Sequence, residues 1–297
     1  MTNNLKAELP NVQKNVMLSQ YTTFKIGGPA KYFYQAKSRE DLVGAITSAR
    51  QLLIPFVILG RGSNVLVADQ GYDGLVIINQ YADINIQDDQ VIASSGSNLN
   101  HLVSACTQRS LSGLEWAAGI PGTLGGAIRG NAGLKDEEIK DVVQSVDCLN
   151  TNNQIVQLDN DQCQFAYRTS LFKNSDDWTI LEANLRLVKG NQAMIQQKVE
   201  ENIKIKNDTQ PLKLASAGCI FKNPPGDSAG RLIDQTGLKG KRIGSAAVSD
   251  IHANFIVNQN GATAEQVVIL ISLIKQRVRN EFGIQLQEEI EYLGFND

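Results

Sequence analysis

The 297-residue chain carries 28 lysines and arginines against 31 aspartates and glutamates, a formal net charge of −3 at pH 7. That balance lacks the basic excess that nucleic-acid phosphates require, and it excludes nucleic acid as the main partner. Four cysteines without a C-x-x-C pair, two histidines and no apolar run of membrane-spanning length exclude a zinc constellation and a membrane protein.

Residues 1–10 (MTNNLKAELP) have no apolar centre and do not read as a secretory signal, so a cytoplasmic location is expected, with Cys106, Cys148, Cys163 and Cys219 as thiols. From Tyr21, the alternation in YTTFKIGGPAKYFYQA predicts two short strands joined by a turn at Gly27-Gly28-Pro29. Ser38 and Asp41 have capping-box spacing and Leu42, Ile46, Ala49 and Leu53 share a face, which predicts a helix ending before Pro55. Two short apolar runs, 56–59 and 65–67, read as strands on either side of the polar loop Gly60, Arg61, Gly62, Ser63, Asn64. A glycine loop between strands can hold a phosphate without a helix dipole. The dinucleotide fingerprint G-x-G-x-x-G lacks its third glycine here, and G-x-x-x-x-G-K-[ST] occurs nowhere.

Residues 74–95 are strand-like, and 98–108 form a helix with Leu99, Leu102, Val103 and Cys106 on its apolar side. The next segment, SGLEWAAGIPGTLGGAIRGNAG (112–133), holds seven glycines, where average usage of about 7% would place one or two. Glycine is favoured where backbone takes positive φ or approaches a ligand closely, so this run reads as amides turned toward an anion such as a pyrophosphate. A tight crossover between strands is the alternative. A charged turn then leads into an apolar strand, a hairpin tip at Thr151-Asn152-Asn153, and QCQFAYRTSLFK; residues 178–188 alternate as a strand. The helix 192–206 marks a boundary, and its charge reads as a solvated face.

The last third opens on the loop-rich PLKLASAGCIFKNPPGDSAG and a short helix, 229–235, closed by Gly237. Strands follow within 246–257. A second capping box at Thr263 and Gln266 opens a long amphipathic helix through Val267, Leu270, Ile274 and Val278, ending near Gly283. IQLQEEIEYLG reads as a closing strand, on which Glu288 and Glu289 face opposite sides.

Seven segments of this chain, in order and at workable spacing, resemble the UDP-N-acetylenolpyruvoylglucosamine reductase (MurB) family in its compact form. They are TTFKIGGPA, LGRGSNVLVADQGYDGLVI, GLEWAAGIPGTLGGA with RGNAG, YRTSLFK, SAGCIFKNP, GLKGKRIG and LQEEI. The resemblance implies an α+β fold: a two-lobed FAD-binding module of the vanillyl-alcohol-oxidase-like (PCMH) type, clasping non-covalent FAD, followed by an α+β substrate domain. The expected division is 1–78 and 79–205 for the two lobes and 206–297 for the substrate domain. Gly60 to Asn64 and Gly119, Ile120, Pro121, Gly122 and Thr123 are then expected around the FAD pyrophosphate, with Asn131 further along the cofactor.

The implied reaction reduces FAD with NADPH as co-substrate and passes the hydride to UDP-N-acetylglucosamine enolpyruvate, giving UDP-N-acetylmuramate for peptidoglycan. It needs a cation on the substrate carboxylate, stabilisation of the developing charge, and a proton donor. The resemblance assigns these to Arg168, Glu289 and Cys219, with Tyr167, Lys222 and Asn223 toward the diphosphate. Cys219 stands where the family usually has serine; a thiol is the stronger acid, so the general-acid role is kept. Ala247, Asn254 and the loop LKDEEI also depart from the family pattern. No metal, nucleic acid, membrane or obligate protein partner is expected. The alternatives are another FAD-dependent oxidoreductase on the same module, which leaves Arg168, Cys219 and Glu289 unexplained, and an inactive flavin- or UDP-sugar-binding protein.

Overall fold

The computed structural model describes residues 2–295, which divide into two compact units. The first is made of the chain up to Asn11, Tyr34–Gly60 and Ile77–Ile205; the second is made of Val12–Phe33, Arg61–Val76 and the chain from Lys206 onward. Position 205/206, expected as a domain boundary, is a boundary here, while the span 1–78 contributes chain to both units. Among the described residues no helix is long and apolar enough to cross a membrane.

The first unit is built on a five-stranded antiparallel sheet in the order Ile155–Asp159, Val143–Leu149, Thr179–Arg186, Gln90–Ser94, Ile84–Gln87. The central strand alternates as its sequence predicts, with Thr179, Leu181, Ala183 and Leu185 buried. Its inner face packs on the helix Leu99–Gln108, whose Leu99, Leu102, Val103 and Cys106 lie in one core with Trp116 and Leu124. The Asn98 side chain caps that helix by accepting from the N–H groups of Asn100 and His101. Ser38 caps Arg39–Gln51 in the same way, accepting from Asp41 N–H.

The second unit holds a four-stranded antiparallel sheet in the order Ala215–Cys219, Phe255–Asn258, Ala246–Val248, Arg242–Ile243. The helices Ala229–Gln235 and Ala264–Phe282 cover it through Leu232, Ile233, Val267, Leu270 and Ile274. The capping box Thr263/Gln266 forms as expected, Asp69 Oδ1 accepts from Ala264 N–H at 2.9 Å, and Gly283 ends the helix in the left-handed region. Strand Glu291–Leu293 runs parallel to Val65–Val67.

Three expectations are corrected. Of the two strands expected from Tyr21, only Pro29–Ala36 forms. Upstream, the chain makes a 3-10 turn at Leu18–Tyr21, and Gly28 gives its N–H to Ala68 O rather than to a hairpin partner. The glycine segment is not a loop throughout, because Leu124–Gly130 is helical. Thr123 caps it, and Gly125 permits an approach in which an added Cβ would lie 2.8 Å from Ser95 Cβ. The closing strand is shortened to Glu291–Leu293, leaving Glu288 in a single bridge to Phe221 and Glu289 outside any strand. The helix Thr2–Glu8 has no counterpart in the sequence reading.

Candidate active site

In the first unit, the turn before Leu124–Gly130 is bracketed by Asn100, which accepts from Gly119 N–H at 2.6 Å and donates to Ile120 O at 3.2 Å. Gly119 sits at φ +76, and Leu99 N–H holds Gly122 O. Among the described residues none accepts from the N–H groups of Gly122 and Thr123, both of which are buried. A buried donor left without an acceptor costs about 1–3 kcal/mol, so a bound anion is favoured there. A Cβ on Gly60 would fall 2.5 Å from Thr123 Oγ1, so side-chain bulk is kept out of the turn.

At the other end of this short helix lies the Arg168 turn. Ala166 and Thr169 exchange both backbone hydrogen bonds, 3.0 and 3.1 Å, around Tyr167 and Arg168. Arg168 takes φ +55, a conformation that in the third place of a four-residue turn ordinarily falls to glycine or asparagine. Its Nη2 donates to Gly133 O at 3.0 Å and its guanidinium carbon stands 5.2 Å from the Tyr167 ring centre. Asn131 is fully buried and left-handed at φ +42. Its Nδ2 donates to Ala166 O and to Glu138 Oε2, both at 3.0 Å, and its Oδ1 accepts from Lys140 N–H. The amide expected beside the cofactor is therefore engaged with its own unit.

In the second unit, three motifs far apart in sequence are hydrogen-bonded to one another. Glu289 N–H donates to Ile220 O at 2.7 Å, Lys222 N–H to Gln287 O at 2.9 Å, and Asn64 Nδ2 to Glu289 O at 3.1 Å. Cys219 thus lies on a stretch paired directly with the one that carries Glu289. A bulge between Ser216 and Cys219, with Gly218 at φ +79, shifts the register just before the thiol. Thr23 joins the polar glycine loop to the same strand, its N–H on Gly62 O and its Oγ1 on Ser216 O at 2.7 Å. On the far side, Asn254 grips Phe221 with both ends of its amide, at 2.9 and 2.8 Å.

Glu288 Oε1 accepts from Lys275 Nζ at 2.8 Å. Asn223 Oδ1 accepts from Ala229 N–H, at the start of a helix. Among the described residues none accepts from the N–H groups of Arg61, Gly62 and Ser63. Burial pushes the Cys106 and Cys163 thiols up to about 12 and raises Cys148 as well, whereas Cys219 is partly exposed.

Residues 210–293 match the family model described as UDP-N-acetylenolpyruvoylglucosamine reductase, C-terminal domain, and residues 30–159 match an FAD binding domain. The chain is 41% identical to the UDP-N-acetylenolpyruvoylglucosamine reductase of Caldanaerobacter subterraneus subsp. tengcongensis, over 94% of this chain and 93% of that one. The chain belongs to the UDP-N-acetylenolpyruvoylglucosamine reductase family. It is also 40% identical to the reductase of Chlamydia felis, over 96% of this chain and 95% of the other. The crystal structure of the Thermus caldophilus enzyme has a TM-score of 0.82 at 35% identity, covering 95% of this chain and 99% of that one. p-Cresol methylhydroxylase, at 11% identity and TM-score 0.54, shares the fold alone, over 94% of this chain and 87% of its own.

Both glycine loops belong, at least in part, to the matched FAD-binding span, and Cys219, Lys222, Asn223 and Glu289 belong to the reductase C-terminal span. Tyr167 and Arg168 lie outside both. Each unit by itself has donors that suit FAD: the Gly122 and Thr123 N–H groups in the first unit, and those of Arg61, Gly62 and Ser63 in the second, are of the kind that diphosphate oxygens satisfy. Sequence reasoning missed Thr23, whose partners Gly62 and Ser216 lie far along the chain, and Glu138, whose partners Asn131 and Lys140 lie close by. Asn254 carried one signal, its departure from the family pattern.

Proposed function

We propose that this member of the reductase family converts UDP-N-acetylglucosamine enolpyruvate to UDP-N-acetylmuramate with NADPH as electron source, in peptidoglycan precursor synthesis. FAD, when bound, supplies the hydride carrier. The amides of Gly119–Thr123 and of Gly60–Asn64 are assigned to its diphosphate.

The chain's residues then act on the substrate. The Arg168 guanidinium grips the enolpyruvyl carboxylate, for which its planar fork is suited. Hydride addition to the methylene carbon leaves an electron pair on the adjacent carbon and its carboxylate. The Glu289 carboxyl steadies that charge, and Cys219 Sγ–H gives its proton to the carbon, so that one C–H bond forms as the S–H bond breaks. The resulting thiolate regains a proton from water. Lys222, Asn223 and Tyr167 are assigned to the substrate diphosphate.

The observation that carries this assignment is the direct backbone pairing of the Cys219 and Glu289 stretches through Ile220 O and Glu289 N–H. Four thiols with no disulfide suit a reducing cytoplasm. The test is anaerobic: NADPH is mixed with the purified flavoprotein, then the enolpyruvyl nucleotide is added while flavin absorbance is followed. Rapid reoxidation without oxygen is expected. Flavin that stays reduced returns the chain to other oxidoreductases on this module, and flavin that NADPH never reduces returns it to a binding protein.

A further inference from the structure

We propose that Asn131 is a positioning residue for Arg168, acting through the carbonyl of Ala166. The inference rests on the substrate-carboxylate role assigned to Arg168 above. Two left-handed residues that are not glycine, Asn131 at φ +42 and Arg168 at φ +55, stand on either side of one hydrogen bond, Asn131 Nδ2 to Ala166 O at 3.0 Å. A left-handed arginine persists only where its surroundings over-determine it. Three determinants come from the end of the helix Leu124–Gly130. Asn131 holds the carbonyl that opens the turn, Gly133 O holds Nη2, and Arg129 O accepts from the fully buried Ser170 hydroxyl just after the turn at 2.8 Å.

Asn131 is itself fixed in rotamer and orientation. Its second amide N–H goes to Glu138 Oε2, which also receives Lys140 Nζ at 2.7 Å, and its oxygen accepts from Lys140 N–H. With no part of the residue exposed, the amide works inside the unit. The helix Leu124–Gly130 thereby joins two functions: its leading turn presents the Gly122 and Thr123 amides, and its trailing Asn131 sets the arginine.

The test separates the two bonds of the Asn131 amide. Asn131→Asp removes both N–H donors and sets two carboxylates against each other. Asn131→Asp combined with Glu138→Gln restores a hydrogen bond between these two positions while leaving Ala166 O without its donor. The single variant is expected to lower the thermal midpoint and raise KM for the enolpyruvyl nucleotide by up to about 10²-fold, the scale of a misplaced substrate-positioning group. The double variant is expected to recover the thermal midpoint but keep the raised KM. Flavin content, KM for NADPH and affinity for UDP-N-acetylglucosamine, which lacks the carboxylate, are expected to stay at the wild-type level. In an Arg168→Ala background, Asn131→Asp should cost the substrate nothing further, since both changes act through one group.

A double variant with wild-type KM for the enolpyruvyl nucleotide overturns the inference, as does a full additional loss in the Arg168→Ala background. Wild-type protein that leaves its flavin reduced overturns the functional assignment itself, and the inference with it.

Discussion

The Arg168 turn in the first unit and the Cys219 segment in the second each depend on a buried asparagine, and they use it differently. Asn131 reaches its turn through its side-chain bond to Ala166 O and through its backbone carbonyl, which accepts from Arg168 Nη1 at 3.5 Å, and it spends the rest of its amide on Glu138 and Lys140. Asn254 grips Phe221 through both its N–H and its C=O, and its own carbonyl takes Ile220 N–H at 2.8 Å. On the opposite side of that segment, Gln287 and Glu289 add two more backbone bonds. The arginine turn is thus set by a few side-chain contacts, and the thiol segment by a ladder with redundant anchors. A backbone ladder predicts that losing one anchor costs stability before position; a turn set by a few side-chain contacts predicts the reverse.

The largest expected effect tests whether the ladder holds the segment independently of the thiol. Cys219→Ala should slow substrate-driven flavin reoxidation by about 10²–10⁴-fold, the contribution of a general acid, and Cys219→Ser should restore much of it. Reduction of the flavin by NADPH and the thermal midpoint should stay as they are. Unfolding on this substitution would break the contrast, because the thiol would then be an anchor.

Next comes Asn254→Ala, which leaves the Phe221 N–H and C=O unpaired in a buried place, at about 1–3 kcal/mol each. Urea unfolding should show that loss, while turnover per folded molecule stays within a few-fold of wild type. Normal stability with collapsed turnover would make Asn254 the counterpart of Asn131 and erase the difference between the two regions.

The smallest effect concerns pH. His252 Nδ1 accepts from Asn254 N–H at 3.2 Å, and burial, then the charge of Lys239, hold its pKa below the ordinary imidazole value. The unfolded chain therefore binds a proton at this site from about pH 6.5 downward, where the native chain does not yet do so. Its contribution to stability is complete above that pH and is lost as pH falls toward the native value. Urea midpoints measured from neutral pH to about pH 5 should decline less steeply in His252→Gln than in wild type. An identical decline in both would show that His252 takes up its proton at the same pH in the native and the unfolded chain.

YRTSLFK, SAGCIFKNP and LQEEI nominated Arg168, Cys219 and Glu289 for the proposed chemistry, and caps at Ser38 and Thr263 marked helix starts that form. What each polar side chain is bound to was not legible. Asn64 and Glu289 are 225 residues apart, and nothing near either announces the other. Glu288 and Glu289 are equivalent as letters, and nothing near Glu288 announces its partner Lys275 on another element. The segment 112–133 read as loop because glycine is a poor helix former, yet Gly125 sits in a helix whose close approach to Ser95 leaves no room for a side chain.

The sequence by itself determined the helix starts and the alternating central strand, because capping and periodicity act within a few residues, and it nominated the residues proposed to be reactive. Tertiary structure alone decided which strands form, that Glu288 meets Lys275, and where the amides of Asn64, Asn131 and Asn254 are spent. Those outcomes depend on satisfying buried donors and acceptors, and their partners are supplied by chain folded in from far away.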